Sequence, residues 1–193
     1  TLAGAPVRVS PDYDPDFPPE QQVPVFDEVP GLFAKPGNAG YVIFTTSTLN
    51  TGALPTEIGR YETDANGTRT GSRTILSTND NRHSALGRGD FDGSRYLVVY
   101  NEGSPGTQEI ARVIAGASGP PLAGPSLLTT GGSFGNTWST ATSSQPLSIA
   151  VGDGFAVVWG EVDADLSYWL GAKTFDGNGH VAQDARPIST RTF

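Results

Sequence analysis

Two short stretches of this chain put oxygen-bearing side chains where chemistry is conceivable: Asp64-Ala65-Asn66-Gly67 and Asp176-Gly177-Asn178-Gly179. Acidic and Asn residues at alternating positions beside Gly are what calcium loops use. The same residues are also the strongest short-range signal for a hairpin turn, because Asn and Gly tolerate positive φ. Asp90 and Asp92, in "GDFDGSRY", are two further acids at alternating spacing. Calcium, held by Asp64, Asn66, Asp90, Asp92, Asp176 and Asn178, is the one cofactor the sequence suggests. The hairpin alternative needs no cofactor.

Hydrolysis of a glycoside needs two carboxylates facing each other, roughly 5–10 Å apart. The acids available are Asp90, Asp92, Glu102, Glu161, Asp163 and Asp165. Glu102 and Glu161 occupy the same place in two successive repeats, which marks a structural residue more than a catalytic one. The Arg residues are dispersed, and His83 and His180 stand in polar turns without a Ser or Asp partner in the sequence. With Cys at 0 there is no thiolate nucleophile, disulfide framework or zinc-cysteine site. No catalytic residue is assigned, and the balance favours a protein that is not an enzyme. Binding has better support. Trp138, Tyr168 and Trp169 could stack on sugar rings, with Asp163 and Asp165 supplying hydrogen bonds. Tyr100 and Trp159 end apolar runs and are expected in the core.

These residues are carried by a repeated unit. "GAKTFDGNGHVAQDARPIST" (171–190) lies without gaps over "GRYETDANGTRTGSRTILST" (59–78), with six of twenty positions identical. A third copy, "ARVIAGASGPPLAGPSLLTT" (111–130), fits the same frame and keeps Gly119. This copy has lost both Asp and Asn, so what persists is the residue that permits positive φ. The hairpin reading is therefore preferred to calcium. Upstream of the copies stand three short apolar runs, "YVIFT" (41–45), "YLVVY" (96–100) and "FAVVW" (155–159). The offsets from their leading aromatics to Gly59, Ala111 and Gly171 are 18, 15 and 16 residues. A further strand precedes each run, at 22–29, 84–91 and 145–152.

Each unit thus reads strand a, turn, apolar strand b, loop, strand c, Asn-Gly-type turn, strand d. Gly 25 and Pro 15 make up about a fifth of the 193 residues, which fits a turn-rich chain. The predicted fold is all-β: a β-propeller-like array of four-stranded antiparallel blades, with a β-sandwich as the alternative. Residues 11–78, 79–130 and 131–193 form three blades. Residues 1–10 align with strand d and form an orphan outer strand of an incomplete blade. Three blades and one strand do not close a ring. Another polypeptide, or further copies, is expected to complete the propeller.

"FDGSRYLVVYNE" (91–102), "GDGFAVVWGE" (152–161) and "AKTFDGNGHV" (172–181) resemble the blade consensus of bacterial secreted β-propeller-type repeat proteins. That consensus has an Asp-Gly turn, an aromatic-x-Val-Val-Trp strand and an Asp-x-x-Gly turn. The resemblance covers most of the chain from Asn38 onward and implies an extracellular or cell-surface location more than an activity. "GDFDGSRY" (89–96) is similar to the calcium loop of integrin-type FG-GAP blades, although the later acids of that loop are missing. "GGSFGNTW" (131–138) resembles the sialidase Asp-box through Gly135, Thr137 and Trp138. Ser133 stands at the Asp position, and the box is structural in that family.

The formal net charge is −8 and the sequence pI about 4.6. That disfavours nucleic acid and anionic membranes and leaves neutral sugars, cations or proteins as partners. No apolar run is long enough to insert in a membrane as a helix. The function expected is a non-enzymatic extracellular binding or structural module, lectin- or adhesin-like, within a larger assembly. The alternative is a fragment or subunit of a secreted polysaccharide-acting hydrolase whose catalytic residues lie elsewhere.

Overall fold

The computed structural model describes residues 25–49, 57–77, 83–103, 109–128, 146–162 and 168–191. The orphan strand at 1–10 and the linkers at 11–21 and 131–144 lie outside them. The described residues form three four-stranded antiparallel sheets and no α-helix. Sheet 1 holds β1 (Val25–Ala34), β2 (Tyr41–Leu49), β3 (Glu57–Glu62) and β4 (Thr74–Ile75). Sheet 2 holds β5 (His83–Phe91), β6 (Tyr96–Gly103), β7 (Glu109–Ala115) and β8 (Pro121–Leu127). Sheet 3 holds β9 (Leu147–Val151), β10 (Gly154–Val162), β11 (Tyr168–Phe175) and β12 (Val181–Arg191). In every sheet each strand pairs with the next in the chain. The predicted succession of strands a to d is therefore found three times.

Two details differ from the sequence reading. In the first unit strand a, read as 22–29, runs on through Pro30 and Gly31 to Ala34. The pairing steps from Glu28↔Thr46 to Gly31↔Phe44, so one extra residue is absorbed as a bulge. His83, expected in a turn, begins β5 opposite Gly103. Cross-strand pairing with the end of β6 holds this polar residue in the sheet.

Strand b decides how the sheets stack. In β6, "YLVVYNEG", every residue is buried, so both faces of the strand are covered. Tyr96, Val98 and Tyr100 face sheet 1, where they meet Val42, Phe44 and Ile58. Leu97 and Val99, on the other face, meet Phe155, Val157 and Trp159 of β10. The period of two along one strand thus feeds two separate cores. Aromatic contacts lock the first of them. The Phe91 and Tyr96 rings stack at 4.5 Å, and Phe44 meets Tyr96 edge-on at 5.5 Å. Sheet 2 is the middle layer of a stack, an arrangement compatible with propeller-like and with sandwich-type packing.

One glycine place recurs for a steric reason. Gly40 and Gly154 immediately precede the aromatic that opens strand b. A Cβ at Gly40 would lie 2.0 Å from the Thr63 carbonyl oxygen, and one at Gly154 would lie 2.1 Å from that of Phe175. The end of strand c passes too close for any side chain.

Candidate functional site

Three of the acids singled out in the sequence, Asp64, Asp92 and Asp176, are placed in three separate turns. Asp64 Oδ1 accepts the backbone N–H groups of Asn66 and Thr68, both at 2.9 Å. Asp176 Oδ1 accepts those of Asn178 at 2.9 Å and His180 at 2.8 Å. In each turn the Gly, Gly67 or Gly179, takes positive φ and donates back to the Asp carbonyl. The Asp side chain thus does the work of a turn residue, holding N–H groups that the hairpin leaves unpaired. Asn66 and Asn178 take part through their backbone. Calcium takes roughly six to eight oxygen ligands. Each turn offers one carboxylate, with Oδ1 already occupied. No group of three or more His, Asp or Glu suited to a metal occurs among the described residues. The donor set does not fit the ion.

Asp92 does the same in the a–b turn of sheet 2. Its Oδ1 accepts the Ser94 N–H at 2.8 Å, the Arg95 N–H at 2.7 Å and the Ser94 hydroxyl at 3.0 Å. Its Oδ2 pairs with Arg95 Nε at 3.0 Å. Desolvation pushes this carboxyl upward, but the two backbone N–H groups, the Ser94 hydroxyl and the Arg95 charge outweigh it. Its pKa lies below the ordinary carboxylate value. Asp176 is also lowered. Desolvation again opposes the shift, and the His180 backbone and ring with the Asn178 N–H reverse it.

Asp90 has a different task. Its Oδ1 accepts the Phe91 N–H at 2.8 Å, and its Oδ2 accepts the N–H of Ala150, in β9 of the next sheet. Arg95, beside Asp92, donates to the Asp153 carbonyl at 3.0 Å, also in sheet 3. Asp90 and Asp92, paired in the sequence as metal ligands, instead tie two sheets together, one directly and one through an arginine.

Two further arginines make polar contacts between sheets. Arg60 of β3 donates to the carbonyls of Gly116 at 2.9 Å and Gly119 at 2.6 Å, in the c–d turn of sheet 2. Arg112 of β7 donates to the carbonyl of Gly179 at 2.7 Å, in the c–d turn of sheet 3, and lies 4.5 Å from the centre of the Phe175 ring. Burial lowers both guanidinium pKa values, opposed by Glu62 and then Tyr96 at Arg60 and by Asp176 at Arg112. Arginine keeps its charge under such shifts. Sequence reasoning treated the arginines as scattered. The signal was present: Arg60 and Arg112 share the second position of the repeat frame, where the copy at 171–190 has Ala172.

Two of the binding candidates, Tyr168 and Trp169, sit at the other end of the strands, where strand c begins. Tyr168 and Trp169 open β11, with Tyr168 opposite Val162 and Arg191, and Trp169 opposite Glu161 and Thr190. Trp138, Asp163 and Asp165 lie outside the described residues. Glu102, the counterpart of Glu161 in sheet 2, is buried in β6 and paired in register with Ser84 and Glu109. Tyr100 and Trp159 are core residues, as expected.

No protein-family model matches this chain, and no curated protein sequence does.

Proposed function

We propose that the chain is a non-enzymatic extracellular binding module, lectin- or adhesin-like, within a larger propeller-type assembly, and that its ligand is a neutral glycan. One observation carries this reading. The register of sheet 3 sets an aromatic, an acid and a hydroxyl residue level with one another at one strand end: Trp169 stands opposite Glu161 and Thr190. Aromatic faces with adjacent hydrogen-bonding groups are the chemistry that holds sugars. A net charge of −8 turns polyanions away. The extracellular location rests on the resemblance of the blade motifs. The engagement of Asp64, Asp90, Asp92 and Asp176 in turns and sheet contacts supports a scaffold rather than a catalyst.

The test is a glycan array, run with calcium and with a chelator, on the wild type and on Trp169→Ala. The expected result is retention of a neutral oligosaccharide class, weakened at least about tenfold by the substitution. Absence of binding, together with no shift in melting temperature on adding calcium, overturns the ligand and leaves a purely structural role. Cleavage of the retained glycan overturns the non-enzymatic reading.

A further inference from the structure

Each junction inside the molecule joins two unlike faces. The leading face of sheet 1, with Val42 and Phe44, takes the trailing face of sheet 2, with Tyr96, Val98 and Tyr100. The leading face of sheet 2, with Leu97 and Val99, takes the trailing face of sheet 3, with Phe155, Val157 and Trp159. One rule is used twice, and at both junctions the arginine of the leading face reaches the c–d turn of the trailing sheet.

Sheet 3 carries a leading face of its own. The register puts Leu147 and Ala172 opposite Val158, Ile149 opposite Ala156, and Leu170 opposite Gly160. Leu147 is 60% exposed, Ile149 58%, Val151 57% and Leu170 44%, whereas Leu97 and Val99 in sheet 2 are fully buried. Sheet 1 in turn carries a trailing face. Leu32, opposite Ile43, is 60% exposed, and Tyr41, in the place of Tyr96 and Phe155, is 40% exposed. Four large aliphatic side chains on one sheet face are more than single surface hydrophobics, and such a patch marks an interaction site.

We propose that the leading face of sheet 3 binds the trailing face of sheet 1 of a second copy of this chain, head to tail. The occupant follows from the internal junctions. Tyr41-x-Ile43 has the spacing and register of Tyr96-x-Val98 and Phe155-x-Val157, which dock on that kind of surface twice in the same molecule. The contact is heterologous, so it extends into a ring or an open filament. Ala172 stands where Arg60 and Arg112 stand, so this third junction lacks the arginine contact and is weaker than the internal two. The proposal rests on the larger-assembly half of the functional reading and is independent of the glycan.

Sedimentation velocity over a concentration range, without glycan, tests it on the wild type, Leu32→Glu and Ile149→Glu. Both positions are more than half exposed, so the variants keep their fold, which the melting curve checks. The wild type is expected to grow with concentration. Each variant, burying an unpaired carboxylate, is expected to associate at least about a hundredfold more weakly. Mixing the two variants restores one intact junction and gives a dimer that does not extend. A wild type that stays monomeric overturns the proposal. So does loss of association in only one variant, which means a symmetric face-to-face contact, and so does association unaffected by either. Glycan binding that persists alongside any of these leaves the ligand reading standing.

Discussion

The Arg112 guanidinium donates to the Gly179 carbonyl at 2.7 Å, joining strand c of one sheet to the c–d turn of the next. Arg60 does the same one repeat earlier, reaching Gly119 at 2.6 Å. Glycine is needed in these turns for its positive φ, and the turn then presents its carbonyl to the neighbouring sheet. Local turn chemistry and the stacking of sheets are thus one arrangement.

Removing the guanidinium should therefore separate layers rather than damage a strand. Arg112→Ala loses a charge-assisted bond, the contact with Phe175 and the packing of the side-chain stem. The expected cost is about 2–3 kcal/mol, measured by urea denaturation. Arg112→Lys should recover only part of it, because an ammonium lacks the planar fork. Arg60→Ala should behave alike. A cost below about 0.5 kcal/mol in both alanine variants would show that the apolar cores alone hold the stack.

The close passage at Gly154 makes a second test. Gly154→Ala places a methyl group against the Phe175 carbonyl, where backbone rather than a flexible side chain must yield. A loss of about 2 kcal/mol or more is expected from thermal melts. Gly71→Ala serves as the control: its Cβ meets nothing within 4 Å, and the change should be close to neutral.

The Asp92 turn predicts an acid limb. A carboxyl whose pKa is lower in the folded than in the unfolded chain adds stability that is fully present above the unfolded value of about 4. That stability is lost as pH falls through the lower folded value. Asp92→Asn keeps the shape and removes the charge. Relative to wild type it should cost about 1 kcal/mol at pH 7, with the gap closing below about pH 4. A difference independent of pH would mean the carboxylate charge contributes nothing.

Ala172 offers a gain rather than a loss. Ala172→Arg supplies at the free face of sheet 3 the residue that both internal junctions have. Head-to-tail association should tighten about tenfold, read from the same sedimentation series. Unchanged association would place the intermolecular contact in a different register from the internal ones.

The repeat made much of the fold legible. Three apolar runs at near-constant distance from a Gly-bearing turn predicted strands b, c and d of every unit, because strand period and turn chemistry are local properties. The same locality explains why Asp64 and Asp176 could be read as hairpin residues once the middle copy was seen to keep only its Gly. The candidate site was less legible. Tyr168 and Trp169 could be named from the sequence, but only the register sets Trp169 opposite Glu161 and Thr190.

By itself, then, the sequence determined the all-β class, the order of strands within each unit, and which residues turn the chain. Tertiary structure alone decided which face of each sheet meets which neighbour. It also decided that Asp90 bonds Ala150 across sheets, that Arg60 and Arg112 close the junctions, and that Leu147, Ile149 and Val151 are left facing outward. The physical reason is distance along the chain. Arg60 and Gly119 are 59 residues apart, and Arg112 and Gly179 are 67 apart. No local preference links residues so separated; only the stacking of completed sheets brings them together.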